Sequence, residues 1–339
     1  MIKKKNIFNL FILFLIIHAV IWVLIPSLTN KNLPLDTIEA LAWGSNLEWG
    51  FSKHPPLSAF AVEFFFQFFN NQDWAYYLLS QIFVLISFIF VWKLSREFFD
   101  NKLFSLISVL LLEGIFFFNY TTPEFNVNVC QLPFWSIAVY YTWLCIKENK
   151  TSSWIILGFF SSLGFLSKYL FLYLIVSVTI IFLYHAIKYK KFNQKYFIPI
   201  IIIPILLSPH FIWLFNNNFI TIFYGINRTG LENANIFDNF INPLTFLLKQ
   251  IGILIPIFCI FLLTLEKIKK NINFKDKKLL FLLAVNILPL FLVLLTSLLT
   301  GAKIRTMWMT PFYLFLGLLL TYLFKENINL KKLNKFFIS

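Results

Sequence analysis

The chain is a succession of apolar runs, each close to the length of one membrane crossing, and this limits its fold more than any other feature. A helix needs about 20 apolar residues to cross a hydrocarbon layer about 30 Å thick. Runs of this kind fall at 7–27, 74–95, 103–119, 126–146, 153–167, 169–187, 196–215, 244–265, 279–300 and 306–324. They predict an all-α, polytopic membrane helical bundle of about ten spans. The fifth run is short and contains Gly158 and Gly164, so a tilted, broken or re-entrant segment is expected there. The stretch 55–70 is apolar but too short to cross and carries Glu63, which predicts an interfacial helix. A soluble alternative fails on composition. Hydrophobic residues make up 59% and charged residues 13%, so 45 Phe side chains would form large exposed apolar patches. No polar block is long enough to fold separately, and residues 1–339 read as a single transmembrane domain.

The charge pattern sets the expected orientation. With ten crossings and the N-terminus inside, only Lys31, Lys53, Lys168, Arg228, Lys249, Lys303 and Arg305 of the 29 basic residues fall on the outer side. The remainder cluster in every inner loop and in the short basic tail 325–339, as the positive-inside rule requires. Both termini are therefore expected in the cytoplasm. The net charge of +14 is spread over these short loops and suits anionic lipid. No nucleic-acid-binding motif accompanies it, so no nucleic-acid partner is expected. The first run is longer than a signal-peptide core and lacks a small-x-small cleavage site, so it reads as a retained span. Cys130, Cys145 and Cys259 all lie in apolar runs. The first two share one predicted helix about 22 Å apart, so neither a disulfide framework nor a metal site is expected.

Polar groups at membrane depth are expensive and often functional, and here they gather on the outer side. Two outer loops are long, 28–73 and 216–243. In LPLDTIEALAWGSNLEWGFSKHPPLSAF, Asp36 and Glu39 are spaced i, i+3. They read as a capping box at the start of a helix and, compatibly, as a pair of carboxylates facing a cleft, with Gly50 expected to end that helix. The Lys53–Pro56 run cannot continue a helix; it is a hinge, or it brings Lys53 or His54 to a phosphate. Glu124, Asn126 and Asn128 follow Thr121, Thr122 and Pro123. They read as a helix start or as a second carboxylate with two amides in the same cleft. Lys168 and Tyr169 fall in an outer turn, where a snorkelling lysine is the bland alternative. His210 falls near Trp213, as a packing residue or a ligand. Lys303 and Arg305 run against the charge bias beside Trp308, and with Arg228 they are candidates for phosphate binding. No Walker A loop, HExxH, G-x-S-x-G or CxxC pair is present. His18 lies apart from any acid cluster in the sequence.

In their order, LPLDTIEALAWGSNLEWGFSKHPPL, TTPEFNVNVCQLPFW, LGFLSKY, SPHFIWL, NR and KIRTMWMTPF resemble the polyprenyl-phosphate-sugar-dependent integral membrane glycosyltransferases. These form part of the C superfamily and include protein O-mannosyltransferases and lipid A aminoarabinose transferases. The resemblance runs to about residue 324. It implies that Asp36 is the catalytic base, with Glu39 beside it in place of the frequent adjacent Asp-Glu pair. It also implies a sugar donor on polyprenyl phosphate, undecaprenyl phosphate in bacteria, and inversion at the anomeric carbon. The expected donor-phosphate ligands are Lys53, Lys168, Arg228, Lys303 and Arg305. Expected acceptor or sugar contacts are His54, Glu124, Asn128, Tyr169 and His210. No cofactor is expected to be required, although some relatives bind a divalent metal. The expected acceptor is a glycolipid such as lipid A or its core, reached on the periplasmic face of a bacterial inner membrane. Protein O-glycosylation and lipid-linked-sugar flipping are the alternatives. A flippase would place ionisable residues near mid-membrane and show inverted repeats.

Overall fold

A computed structural model describes residues 6–190, 192–231, 235–266 and 273–328. The basic tail beyond 328, and the lysines at 3–5, 191 and 267–270 counted for orientation, lie outside the described residues. These segments are predominantly helical. Its elements are α1 (Asn6–Thr29), α2 (Leu35–Gly44), α3 (Leu57–Phe69), α4 (Asp73–Phe98), α5 (Lys102–Leu110), α6 (Val127–Cys130), α7 (Leu132–Lys147), α8 (Thr151–Ser167), α9 (Phe171–Lys188), α10 (Phe197–Asn216), α11 (Ile220–Arg228), α12 (Asp238–Thr264), α13 (Lys277–Thr300) and α14 (Leu316–Leu323). Among the described residues, seven helices are long and apolar enough to cross a membrane, or eight if the bent pair 306–313 and α14 is one span. Each of the ten apolar runs is helical in whole or part, but they are not alike.

Where the form departs from the expectation, the sequence carries a cause. The run 103–119 stops being α-helical after Leu110 and continues as two 3-10 turns, Leu111–Gly114 and Phe116–Phe118. Glu113 and Gly114 interrupt it: an acid costs too much to face lipid unpaired. The run 306–324 begins as a 3-10 segment, Thr306–Tyr313, containing Pro311, then bends by 51° into α14. Pro311 lacks the N–H that a continuous α-helix would use. The fifth run, in contrast, is one unbroken 17-residue helix, α8. The stretch 55–70 forms the 13-residue α3.

A polar link crosses the bundle at mid-depth. His18, buried in the middle of α1, lies 2.6 Å through Nδ1 from Glu113 Oε1. Asn119 donates to Glu113 Oε2 at 3.3 Å and to its backbone oxygen at 2.9 Å. The broken third run is thus tied to α1 by the residue that breaks it, and His18 has an acidic partner that sequence distance concealed. Aromatic packing fills the centre: Trp135 of α7 meets Phe171 of α9 at 5.7 Å and Phe312 at 4.7 Å between ring centroids.

Chain direction fixes two ends. α9 leaves one end at Phe171 and reaches the other at Lys188, while α13 runs from Lys277 back to Thr300. Residues 28–73, the turn 119–126, the α8–α9 turn, α11 and residues 301–308 all gather at the first end.

Candidate active site

The first loop supplies one wall of a cleft at that end. α2 starts after Pro34, whose fixed φ suits a helix entry, and no side chain caps it. Asp36 is therefore in the first turn rather than at the cap, which corrects the capping-box reading. α2 ends at Gly44, not Gly50. Gly50 has another use: a Cβ there would lie 2.2 Å from the Trp213 ring of α10. Residues 48–51 are strapped down at this contact. Trp213 Nε1 donates to Glu48 at 2.8 Å, His210 Nδ1 lies 2.6 Å from the Trp49 carbonyl, and Thr221 Oγ1 donates to the Phe51 carbonyl at 2.5 Å. The Phe51 N–H donates to the His54 carbonyl at 3.1 Å, closing the turn that presents Lys53.

The second wall comes from the turn before α6. Asn126, not the Thr121–Pro123 run, caps this helix, accepting from the N–H groups of Asn128 and Val129 at 2.9 and 3.2 Å. Glu124 lies before the helix instead of in its first turn. Its Oε1 accepts from the Asp36 N–H at 3.4 Å, and its Oε2 accepts from Asn126 at 3.2 Å. Thr37 donates to the Phe125 carbonyl at 3.2 Å. These bonds set Asp36 and Glu124 side by side.

Between the walls is a cavity of about 660 Å³. Asp36, Glu39, Lys53, His54, Asn128, Lys168, Tyr169, Arg228 and Arg305 all line it. Three expected residues do not. Lys303 is exposed outside it, its N–H donating to the Thr229 carbonyl at 2.9 Å. His210 is fully buried behind the wall. Glu124 lines an adjoining cavity of about 730 Å³, which opens between α1 and the broken third run beside Trp22 and Tyr120 and shares Asn128 and Met307 with the first.

The cations are graded by depth. Lys168 is buried, donates to Asn128 Oδ1 and lies 5.2 Å from the Trp308 ring centroid. Burial lowers its pKa to about 7, with the Asp36 charge opposing that shift. Lys53 is half-buried and paired with Glu39, whose hydrogen bond raises the lysine pKa. Arg228 and Arg305 are exposed at the mouth. His54 is not a cation here: burial, then the charges of Lys168, Lys53 and Arg228, lower its pKa to about 3. It packs edge-on against Trp43 and Tyr224.

The two acids differ in commitment. The Glu39 carboxylate is held by Lys53. The Asp36 carboxylate receives no hydrogen bond from the described residues. Its pKa is raised by burial and then by Glu39, against the pull of Lys53, Lys168 and Arg228. Burial and Asp36 also raise Glu124. Among the described residues, no group of three or more His, Cys, Asp or Glu comes close enough together to hold a metal ion.

Buried His210 has a defined tautomer. Its Nδ1 faces a carbonyl, which accepts only, so that nitrogen carries the hydrogen. Its Nε2, 2.9 Å from the Tyr169 hydroxyl, then accepts from it. Burial raises the Tyr169 pKa, opposed by a hydrogen bond with the Thr221 side chain.

Sequence reasoning missed Thr221 and Tyr224. Both lie on α11, in a stretch read only as loop. The amphipathic order ITIFYGINR was the available signal, but nine residues without a side-chain cap give a weak one.

The family model of dolichyl-phosphate-mannose-protein mannosyltransferases matches residues 53–213, just under half of the 339 residues. That segment contains Lys53, His54, Glu124, Asn128, Lys168, Tyr169 and His210; Asp36, Arg228 and Arg305 lie outside it. No curated protein and no solved structure matches the chain.

Proposed function

Taking the chain as a membrane glycosyltransferase of the C type that uses a polyprenyl-phosphate sugar, we propose that Asp36 is its catalytic base and that the 660 Å³ cavity holds the donor. The observation that carries this reading is the pairing of one uncommitted, partly buried carboxylate with a graded set of cations in one cavity. A hydroxyl is a poor nucleophile at neutral pH. The Asp36 carboxylate takes its proton as the oxygen attacks the anomeric carbon from the face opposite the phosphate. The new C–O bond forms, the bond from that carbon to the phosphate oxygen breaks, and the electron pair leaves on the lipid phosphate. That phosphate gains one negative charge. Lys168 at depth, with Arg228 and Arg305 at the mouth, receives it without rearrangement. Glu39 serves as a positioning residue that holds Lys53 at the rim.

The adjoining 730 Å³ cavity suits the acceptor. It carries no lysine or arginine among its lining residues, and it meets the donor cavity at Asn128 and Met307. Glu124 brings it to the backbone of Asp36. An amphiphilic glycolipid of the lipid A type can enter from the membrane beside α1 and present a hydroxyl or phosphate there. The basic opposite end of the bundle supports a periplasmic site in a bacterial inner membrane, with both termini cytoplasmic. A flippase is less well supported. The hydrogen-bonded pair within the bundle, His18 with Glu113, lines neither cavity.

The test is transfer from a polyprenyl-phosphate sugar by reconstituted Asp36→Asn. Loss of about 10²–10⁴-fold in turnover is expected. Wild-type turnover in the folded variant would remove Asp36 as the base. Mass spectrometry of lipid A from cells with and without the chain checks the acceptor: an unchanged glycolipid profile beside a lost protein glycan would favour protein O-glycosylation.

A further inference from the structure

A second groove lies at the end of the bundle opposite the active site, on the same α9–α13 seam. Its volume is about 510 Å³. Its floor is apolar, with Trp143 of α7, Ile181 of α9 and Phe281 and Ala284 of α13. Its mouth carries Lys188 and Lys277, both exposed. Neither forms an ion pair among the described residues. Instead each is held by a ring. Lys188 donates to the Tyr184 hydroxyl at 2.8 Å, and Lys277 lies 4.5 Å from the Tyr189 ring centroid. A third rim lysine, Lys147, is already neutralised by Glu97 at 2.6 Å.

Two ammonium groups without a carboxylate partner among the described residues, over an apolar groove at a membrane boundary, match one ligand chemistry: an anion attached to an alkyl chain. We propose that this groove binds an anionic phospholipid from the leaflet opposite the active site, with acyl chain in the groove and phosphate between Lys188 and Lys277. The donor's own isoprenoid tail is the competing occupant, because α9 and α13 also line the donor cavity, through Tyr173, Val293 and Thr296. It fits less well. The donor phosphate belongs at the far end of the seam, so its tail would bring hydrocarbon alone to the two lysines. A phospholipid supplies the charge at the correct end, and each lysine near an anionic headgroup adds to the attraction.

Titration of the purified full chain with phosphatidylglycerol, phosphatidylcholine and an uncharged polyprenol, read by native mass spectrometry, decides between them. Phosphatidylglycerol is expected to bind about tenfold or more tighter than phosphatidylcholine. The double variant Lys188→Gln, Lys277→Gln should bring the two to parity while leaving thermal unfolding unchanged, since both side chains are exposed. Ala284→Trp, which fills the groove, should weaken both phospholipids. Three results would each overturn the proposal. They are equal affinity for the two phospholipids in the wild type, a preference that persists in the double variant, and polyprenol binding as tight as phosphatidylglycerol.

Discussion

Lys168 sits where a lysine is rarely tolerated, buried and without a carboxylate in contact, and its chemistry follows from that position. With its pKa lowered to about 7, it is only partly charged at neutrality until an anion arrives. A bound lipid phosphate favours the ammonium form, so donor binding takes up a proton. Above about pH 7 the charged fraction falls toward tenfold per unit, and kcat/KM for the donor should fall with it. If Asp36 is the base, activity should be lost on the acid side as it protonates, at a pH above the ordinary aspartate range because burial and Glu39 raise its pKa. The Lys168→Met variant should therefore raise donor KM by about 10–100-fold, the range of a lost charge-assisted hydrogen bond, and lose the alkaline limb. A pH profile that keeps its alkaline limb in this variant would assign that limb to another group. The placement of Lys168 was partly legible beforehand: a lysine in an otherwise apolar turn is conspicuous in sequence. The separation of Arg305, which lines the cavity, from Lys303, which does not, was invisible because two residues in an irregular segment give no facing rule. Glu39 was similarly ambiguous until Lys53, fourteen residues on, was seen to occupy it.

At the scale of elements, apolar length identified the long helices α1, α4, α10, α12 and α13, since hydrocarbon thickness sets their length directly. It was a poorer guide to the third and tenth runs. Mean apolarity does not register that Glu113 must find His18, or that Pro311 withholds a backbone donor. Both signals stood in the sequence as single residues within otherwise plausible spans. The strap over residues 48–51 was not legible at all, because its partners on α10 and α11 are more than 150 residues away. It nevertheless aims the loop that carries Lys53 and His54. Gly50 is the point of closest approach, so Gly50→Ala must push the Trp213 ring or the loop outward. The expected cost is about 1–3 kcal/mol, typical of an overpacked contact. It should appear as a lower unfolding temperature in detergent together with a raised donor KM. Unchanged values of both would show that the loop accommodates the methyl group without moving the site.

For the whole molecule, helix direction and charge contribute separate halves of the orientation. The alternation of helices places Lys303 and the cavity of Asp36 and Lys168 at one end and Lys188 at the other, whichever way the bundle is inserted. The basic loops then select the insertion, because Lys and Arg are retained on the cytoplasmic side. Single cysteines at these two positions test both halves. Cys130 and Cys145 are buried and Cys259 is the exposed native thiol, so a Cys259→Ala background removes the main source of unwanted labelling. In intact cells a membrane-impermeant maleimide should modify Lys303→Cys and should reach Lys188→Cys only after permeabilisation. Reversed labelling would invert the proposed orientation and put the transfer reaction on the cytoplasmic face, where a polyprenyl-linked donor would not need to be flipped before use. Equal labelling of both positions from outside would be the more serious result. It would mean that α9 and α13 do not separate two compartments, and the assignment of their seam to lipid at both ends would fail with it.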